Sequence, residues 1–233
     1  MTALITLSHG SRHPRARAGI RELTCAAARR LGVAGIDAHL EFDIPTLAGA
    51  ARALRGPAVV VPLLFTRAFH ATCDVPEKLA AARGHAPLTL APGLGMGDDL
   101  AAVLAGRLLA DAPADAHAVL YPVGTSDAAQ AGEYVRLAGS VEKQSSRSVS
   151  VVAATRGGPA RITELARQRG DLHILPLFVT EGLLLSRARD AIPVIEAETG
   201  ARVTCSGPLT TSLASIVADR YLSTQSTLST LEV

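Results

Sequence analysis

Residues 57–65 read PAVVVPLLF, a continuous apolar run of the kind found in strands that are buried on both faces of a parallel sheet. Working outward from it, other short apolar runs alternate with Ala/Leu/Arg-rich stretches of helical period. The predicted strands are ALITLSHG (3–10), AGIDAHLEF (34–42) and PLTLAP (87–92), and the predicted helices cover 14–31, 46–54, 75–83 and 98–110, the last with Asp98 as its N-cap. This alternation predicts an α/β architecture with a doubly wound parallel sheet.

The same plan returns in the second half of the chain. Its predicted strands are AHAVLYPVG (116–124), SVSVVAAT (148–155), DLHILPLFV (171–179) and ARVTCSG (201–207). A constant shift of 114 residues aligns Gly10 with Gly124 and also brings the strand-end prolines of the two halves together without gaps. A constant shift across several strand ends indicates a duplication. We therefore predict two similar lobes, residues 1–113 and 114–233, joined near residues 112–115.

Composition and charge exclude several classes of protein. The 23 basic and 21 acidic residues give a net charge of +2, and no basic run is present, so we expect no nucleic-acid partner. No apolar stretch approaches the roughly 18 residues of a membrane helix, and the N-terminus lacks the pattern of a signal peptide. Three cysteines without a CxxC pair favour a reducing cytoplasm. The Ser/Thr-rich stretch after Leu222 predicts a mobile tail.

Three ionisable residues of the first half, His9, Glu41 and His70, fall at or just beyond predicted strand ends. Ligands of open α/β sheets bind at the carboxyl ends of the strands. The counterparts in the second half are Val123, Thr155 and Leu184, which do not titrate. Two imidazoles and a carboxylate can hold a divalent first-row metal or act as general bases. We therefore expect the chemistry to belong to the first lobe, with a purely structural role for the three as the alternative.

Other polar residues flank these three. Ser11 and Arg12 follow His9 at a predicted helix entrance, where backbone N–H groups favour anions, and Arg67 precedes His70. We predict that Ser11, Arg12 and Arg67 contact a negatively charged substrate. Three further residues allow two interpretations each. Cys73 is either a metal ligand or a buried thiol. Asp74 and Glu77 either guide a cation to the site or supply the negative charge of a helix's first turn.

Three stretches together resemble the signature of the sirohydrochlorin chelatases: SHGSRHPRA (8–16), LEFDIPTL (40–47) and VVVPLLFTRAFHATCDVPEKL (59–79). The resemblance implies two Rossmann-like lobes around a central cleft that holds the tetrapyrrole. It implies that His9 and His70, with Glu41, bind and insert a divalent metal, Fe²⁺ or Co²⁺, into sirohydrochlorin. The metal is then a substrate and no organic cofactor is expected. A duplicated chain of this family is expected to be a monomer, because duplication can replace a homodimer.

The chain departs from the family pattern at two positions. His13 stands where an acidic residue is usual, and Ser8 where a glycine is common, so the preference for substrate or metal stays open. Two other functions remain as alternatives. Histidine phosphatases share a histidine followed by glycine, but Ser8 replaces the arginine that grips phosphate in them. A two-lobed protein that binds a metal or tetrapyrrole without turnover would also suit the predicted fold.

Overall fold

A computed structural model of the chain describes residues 1–66 and 75–231. The strands are β1 (Ala3–Ser8), β2 (Gly35–His39), β3 (Ala58–Pro62), β4 (Leu88–Leu90), β5 (His117–Tyr121), β6 (Val149–Val151), β7 (Leu172–Pro176) and β8 (Val203–Cys205). The helices are α1 (Ala16–Leu31), α2 (Leu47–Arg52), α3 (Val75–Ala82), α4 (Asp98–Asp111), α5 (Ala128–Ser145), α6 (Gly158–Arg169), α7 (Leu183–Thr199) and α8 (Ala214–Leu231).

The first sheet is parallel and has the strand order β2-β1-β3-β4. Ile5 at its centre pairs with Ile36 on one side and Val60 on the other. One face packs its apolar side chains against α2 and α3. Each fully buried aliphatic side chain of this kind contributes about 1.5–3 kcal/mol. On the opposite face, the Thr6 hydroxyl bonds the Thr24 hydroxyl of α1 at 2.5 Å, which pins that helix to the sheet.

The second sheet repeats the first, with the parallel order β6-β5-β7-β8. Val119 at its centre pairs with Ser150 and Ile174. Its core packs Ile162 of α6 and Ala188 of α7 against β5 and β7. In the described part of the chain the fold is therefore two four-stranded parallel sheets flanked by helices, and the predicted α/β class is confirmed.

The helices are distributed between two compact units in a way that one sequence boundary does not describe. One unit comprises residues 1–95 and 210–233, and the other comprises residues 96–209. Helix α4, from the first half of the sequence, packs beside α5 in the second unit, while α8 packs on α1 and β3 in the first. The division at residues 113/114 separates the strands of the two sheets but not their helices, because an amphipathic pattern does not specify which sheet a helix covers.

Two local expectations are corrected. Gly97, not Asp98, is the N-cap of α4, and Asp98 lies in the first turn, where a negative charge is still favourable. The stretch after Leu222 is helical to residue 231, so the expected mobile tail is wrong there. The hydroxyls of Thr224 and Thr227 donate to carbonyls one turn earlier, which lets threonine fit inside the helix. Among residues 1–66 and 75–231 we find no helix with both the length and the apolar character needed to cross a bilayer.

Candidate functional site

His9 and Glu41 lie side by side at the carboxyl edge of the first sheet. His9 directly follows β1, and Glu41 follows β2 by two residues. The strand pairing continues beyond both strand ends, since the Leu40 N–H donates to the Ser8 carbonyl and the Glu41 N–H to the His9 carbonyl, each at 2.9 Å. His9 is half-buried and Glu41 is exposed. The fold thus joins the backbones of two of the three predicted ligands, as their positions at strand ends led us to expect.

Gly10 makes this juxtaposition possible. Its φ of +90° lies in the left-handed region, and a Cβ at this position would stand 1.8 Å from the Glu41 carbonyl oxygen. A side chain here is therefore excluded by both backbone conformation and space. The loop that carries His9 passes directly under the backbone of Glu41 because residue 10 is glycine.

The second sheet has the same loop frame with different side chains. The Thr155 N–H donates to the Val123 carbonyl at 3.0 Å, and Gly124 has a φ of +101°, which matches Gly10. The Thr155 hydroxyl donates to the Val123 carbonyl at 2.8 Å. The shift of 114 residues therefore holds in three dimensions at this loop. The side chains that we predict to bind metal in the first lobe are replaced there by an apolar residue and by a hydroxyl that donates to a backbone carbonyl.

Phe42, which no pattern in the sequence singled out, contacts two of the predicted site residues. Its ring lies near-parallel to the His9 imidazole, with centroids 6.0 Å apart and an interplanar angle of 29°. The Arg12 Cζ lies 4.8 Å from the centroid of the same ring. Phe42 is 53% exposed and has a φ of +62°. A left-handed conformation costs a non-glycine residue on the order of 1–2 kcal/mol, so the fold presents this aromatic ring to solvent at a cost in stability.

Ser11 lies in a turn that precedes helix α1. The helix begins at Ala16 and not at the predicted Pro14, so Ser11 stands five residues before it. The Ser11 N–H donates to the Asp43 carboxylate at 3.2 Å, and the Ser11 hydroxyl accepts from the His13 N–H at 3.1 Å. Both polar groups of Ser11 therefore have partners within the loop. Its contact with substrate stays a prediction.

A buried polar network lies behind the site. The Ser8 hydroxyl and His39 Nδ1 are 2.7 Å apart on neighbouring strands, and His39 is 1% exposed. His39 Nε2 stands 3.4 Å from Asp37 Oδ2, outside hydrogen-bond geometry, and neither atom has a hydrogen-bond partner within residues 1–66 and 75–231. The sequence offered only the proximity of His39 to Glu41 as a signal of this network. It anchors β2 to β1 at the end where His9 emerges.

A cleft of about 550 Å³ opens at the carboxyl ends of β3 and β4. Its wall includes Pro62, Thr66, Gly93 and Arg220, the last from α8. Arg220 donates from Nε to the Gly93 carbonyl at 3.1 Å and from a terminal nitrogen to the Leu94 carbonyl at 2.7 Å. Arg220 therefore connects the last helix of the chain to the loop that leaves β4.

The second unit contains a buried histidine with a structural role. His173 is 1% exposed, with Nδ1 2.8 Å from the Thr204 hydroxyl and Nε2 2.8 Å from the Ser206 hydroxyl. Ser206 donates to the Asp111 carboxylate at 2.7 Å. Burial lowers the pKa of His173, an effect that Asp111 opposes, and the hydrogen bond from Ser206 lowers the pKa of Asp111. These groups are mutually satisfied within the unit, which favours a structural role over a catalytic one.

Four residues of the sequence analysis, Arg67, His70, Cys73 and Asp74, lie outside the described residues. Glu77 is exposed in the first turn of α3, where its charge favours the helix. Within residues 1–66 and 75–231, no three His, Cys, Asp or Glu side chains are grouped so as to hold a metal ion. The described part of the chain therefore supplies His9 and Glu41 to the predicted ligand set.

A model of the CbiX family matches residues 3–110. Among solved structures, SirB from Bacillus subtilis with Fe³⁺ aligns with a TM-score of 0.77 at 19% identity, over 96% of both chains. SirB from Bacillus subtilis subspecies spizizenii, a sirohydrochlorin chelatase in complex with cobalt, aligns with a TM-score of 0.74 at 18% identity, over 96% of this chain and 95% of that one.

CbiX, the terminal enzyme of siroheme biosynthesis in denitrifying bacteria, aligns with a TM-score of 0.67 at 20% identity, over 96% of this chain and 99% of that one. At these identities the likeness to solved structures shows a shared fold. No curated protein gives a significant match to the sequence.

Proposed function

We propose a metal-insertion function from one premise: the chain is a member of the CbiX family, which its residues 3–110 match. The reaction is the insertion of a divalent metal ion, Fe²⁺ in this proposal, into sirohydrochlorin to form sirohaem. The protein is then a sirohydrochlorin ferrochelatase. Cobalt insertion into the same macrocycle is the alternative.

One observation carries the proposal. His9 and Glu41 are joined through their backbones at the carboxyl edge of the first sheet, while Val123 and Thr155 occupy the same frame in the second. A structural requirement of the loop would apply to both copies, yet the titratable side chains are present in only one. At this loop, groups that can bind a metal and accept protons are therefore present in the first lobe and not in the second, which supports a chemical role for them.

The reaction defines what these side chains must do. Metal insertion replaces two ring N–H protons with one M²⁺, so the site needs both ligands for the ion and acceptors for the protons. In our proposal His9 and His70 hold the ion over the ring face and accept the protons, and Glu41 balances the charge of the ion. The role of His70 rests on the family signature, since this residue lies outside the described part of the chain. General-base assistance of this kind is worth on the order of 10²–10⁴ in rate.

The periphery of the substrate supplies a second requirement. Sirohydrochlorin carries carboxylates around its ring. Arginine is the side chain best suited to bind a carboxylate, because its guanidinium can donate two parallel hydrogen bonds to it. We assign this role to Arg12, which is exposed beside His9, and to Arg67, with Ser11 as a further contact. No organic cofactor enters this scheme.

The choice of iron over cobalt rests on one of the structural relatives. The structural relatives include one with Fe³⁺ and one with cobalt. A third is described as an enzyme of siroheme biosynthesis, which favours iron. Iron(II) and cobalt(II) are neighbours in the order of binding strength, so metal supply contributes to the choice as much as site geometry does.

Anaerobic absorbance spectroscopy tests the proposal. Sirohydrochlorin is mixed with catalytic amounts of the protein, and Fe²⁺ or Co²⁺ is added in parallel runs. We expect many turnovers above the spontaneous rate, faster with Fe²⁺. A faster reaction with Co²⁺ supports the cobalt alternative. A spectral change that stops at one equivalent of protein indicates a binding protein, and the absence of any change contradicts the substrate assignment.

A further inference from the structure

We propose that Phe42 and Arg12 form a substrate subsite. In it the exposed part of the Phe42 ring contacts the flat face of the macrocycle, and the Arg12 guanidinium binds one of the peripheral carboxylates. This inference rests on the proposed function and extends it to a residue that determines how the tetrapyrrole is held. The His9 imidazole contacts the same ring, so a macrocycle placed on Phe42 is placed beside the metal-binding group.

The exposure of Phe42 requires an explanation. Four phenylalanines occur in the chain, and this one is 53% exposed. Ile44, two residues further along the same loop, is 68% exposed. The loop that carries Glu41 therefore presents two large apolar side chains to solvent, and exposed apolar groups beside a site commonly mark a surface for ligands.

The duplicated lobe shows that the loop does not need an aromatic residue at this position. The residue 114 positions after Phe42 is Arg156, which is exposed and whose Nε donates to the Thr125 carbonyl at 3.0 Å. In that loop the positive φ angles fall on Gly157 and Gly158, which adopt them without strain. In the first lobe a phenylalanine adopts the left-handed conformation itself. The unfavourable conformation and the exposed ring thus occur together only in the copy that carries His9.

The chemistry of the pair matches the chemistry of the macrocycle. A tetrapyrrole offers a flat conjugated face and an anionic rim, and an aromatic ring next to a guanidinium offers the complementary surfaces. Arg12 lies 4.8 Å from the Phe42 centroid, so one cation and one apolar surface are available within a single macrocycle radius. Phosphate or an acidic peptide would use Arg12 but would gain nothing from the ring.

Binding of metal-free sirohydrochlorin tests the subsite without metal insertion. It is monitored under anaerobic conditions by the quenching of the macrocycle's own fluorescence, a signal that needs no tryptophan in the protein. We expect Phe42→Asn to raise Kd about tenfold, since an aromatic contact contributes on that order. Asparagine is chosen because it tolerates the left-handed conformation, so the loop can fold as before. Phe42→Tyr keeps the ring and is expected to bind as the wild type does. Leu222→Asn removes a side chain of equal exposure, 52%, from α8 and is expected to leave Kd unchanged.

Kinetics give the second readout. With Fe²⁺ present, Phe42→Asn is expected to raise KM about tenfold while kcat changes less than about twofold, because the ring binds the ground state and the transition state alike. A Kd for Phe42→Asn equal to that of the wild type, or an equal loss in Leu222→Asn, overturns the inference. If the wild type binds the macrocycle without turnover, the proposed function fails while the binding series still decides the role of Phe42. If the wild type does not bind it at all, both fail.

Discussion

Replacing Gly10 with alanine is expected to destabilise the first unit by about 2–5 kcal/mol and to abolish metal insertion. The left-handed conformation alone costs alanine about 1–2 kcal/mol. The new Cβ would stand 1.8 Å from the Glu41 carbonyl oxygen, whereas an ordinary C···O separation is about 3.3 Å, so the two backbones must separate by about 1.5 Å. That movement breaks the 2.9 Å hydrogen bond from the Glu41 N–H to the His9 carbonyl. Overpacking of this kind costs a further 1–3 kcal/mol or so.

Two other glycines separate these contributions. Gly32 has a φ of +66°, and in the described part of the chain no atom beyond its immediate chain neighbours lies within 4 Å of its Cβ position, so Gly32→Ala reports the conformational cost alone. Gly124 has a φ of +101°, and a Cβ there would stand 2.6 Å from the Thr155 hydroxyl, which can rotate away, and 2.9 Å from the Ala153 Cβ, which cannot. In urea unfolding we expect losses in the order Gly10→Ala, Gly124→Ala, Gly32→Ala, and we expect the last two to insert metal at normal rates. A Gly10→Ala protein that is no less stable than Gly32→Ala would refute this account of the loop.

Two further predictions follow from the polar contacts. Arg220→Ala should lower the free energy of unfolding of the first unit by about 2–4 kcal/mol, because the guanidinium donates to both the Gly93 and Leu94 carbonyls. Arg220→Lys should lower it by less. Equal urea midpoints for both variants and the wild type would contradict this prediction. Burial lowers the pKa of His173 in the folded chain below its ordinary value of 6.5. The unfolded chain therefore takes up a proton at a higher pH than the folded chain does. Stability should be lost as the pH falls from about 6.5 through the lower pKa of the folded state. Urea midpoints between pH 7.5 and 5 should show a shallower loss in His173→Gln; an unchanged slope would argue against this contribution.

The sheets could be predicted because their signal is local and repeated. The run around Val60 is apolar throughout and the run around Ile174 is apolar apart from His173, and both occupy the centre of a parallel sheet at the same place in each half. Glycine at positions 10 and 124 indicated the strand-end loops, and both adopt positive φ angles. These features depend on the residue type and its immediate neighbours, which the sequence states directly.

Other features depend on information that the sequence does not state locally. The Ser/Thr-rich composition of the last segment predicts neither helix α8 nor its packing on α1 and β3 of the first unit. Phe42 carries a side chain that ordinarily avoids positive φ, so its conformation could not be predicted from its type. The pairing of Ser8 with His39 follows from strand register, which is settled by the whole sheet. The contribution of Phe42 to the proposed substrate subsite could therefore not be predicted, although Phe42 directly follows Glu41 in the sequence.

The matched pair His9→Ala and Val123→Ala tests the central claim most directly, since the two residues occupy the same frame in the two lobes. Both proteins are assayed for anaerobic insertion of Fe²⁺ into sirohydrochlorin after their folding has been checked by circular dichroism. We predict that His9→Ala loses at least about 10² in rate, because it removes a proposed metal ligand and proton acceptor, while Val123→Ala keeps the wild-type rate within about threefold. A folded His9→Ala protein that inserts iron at the wild-type rate would contradict the assignment of the chemistry to the first lobe.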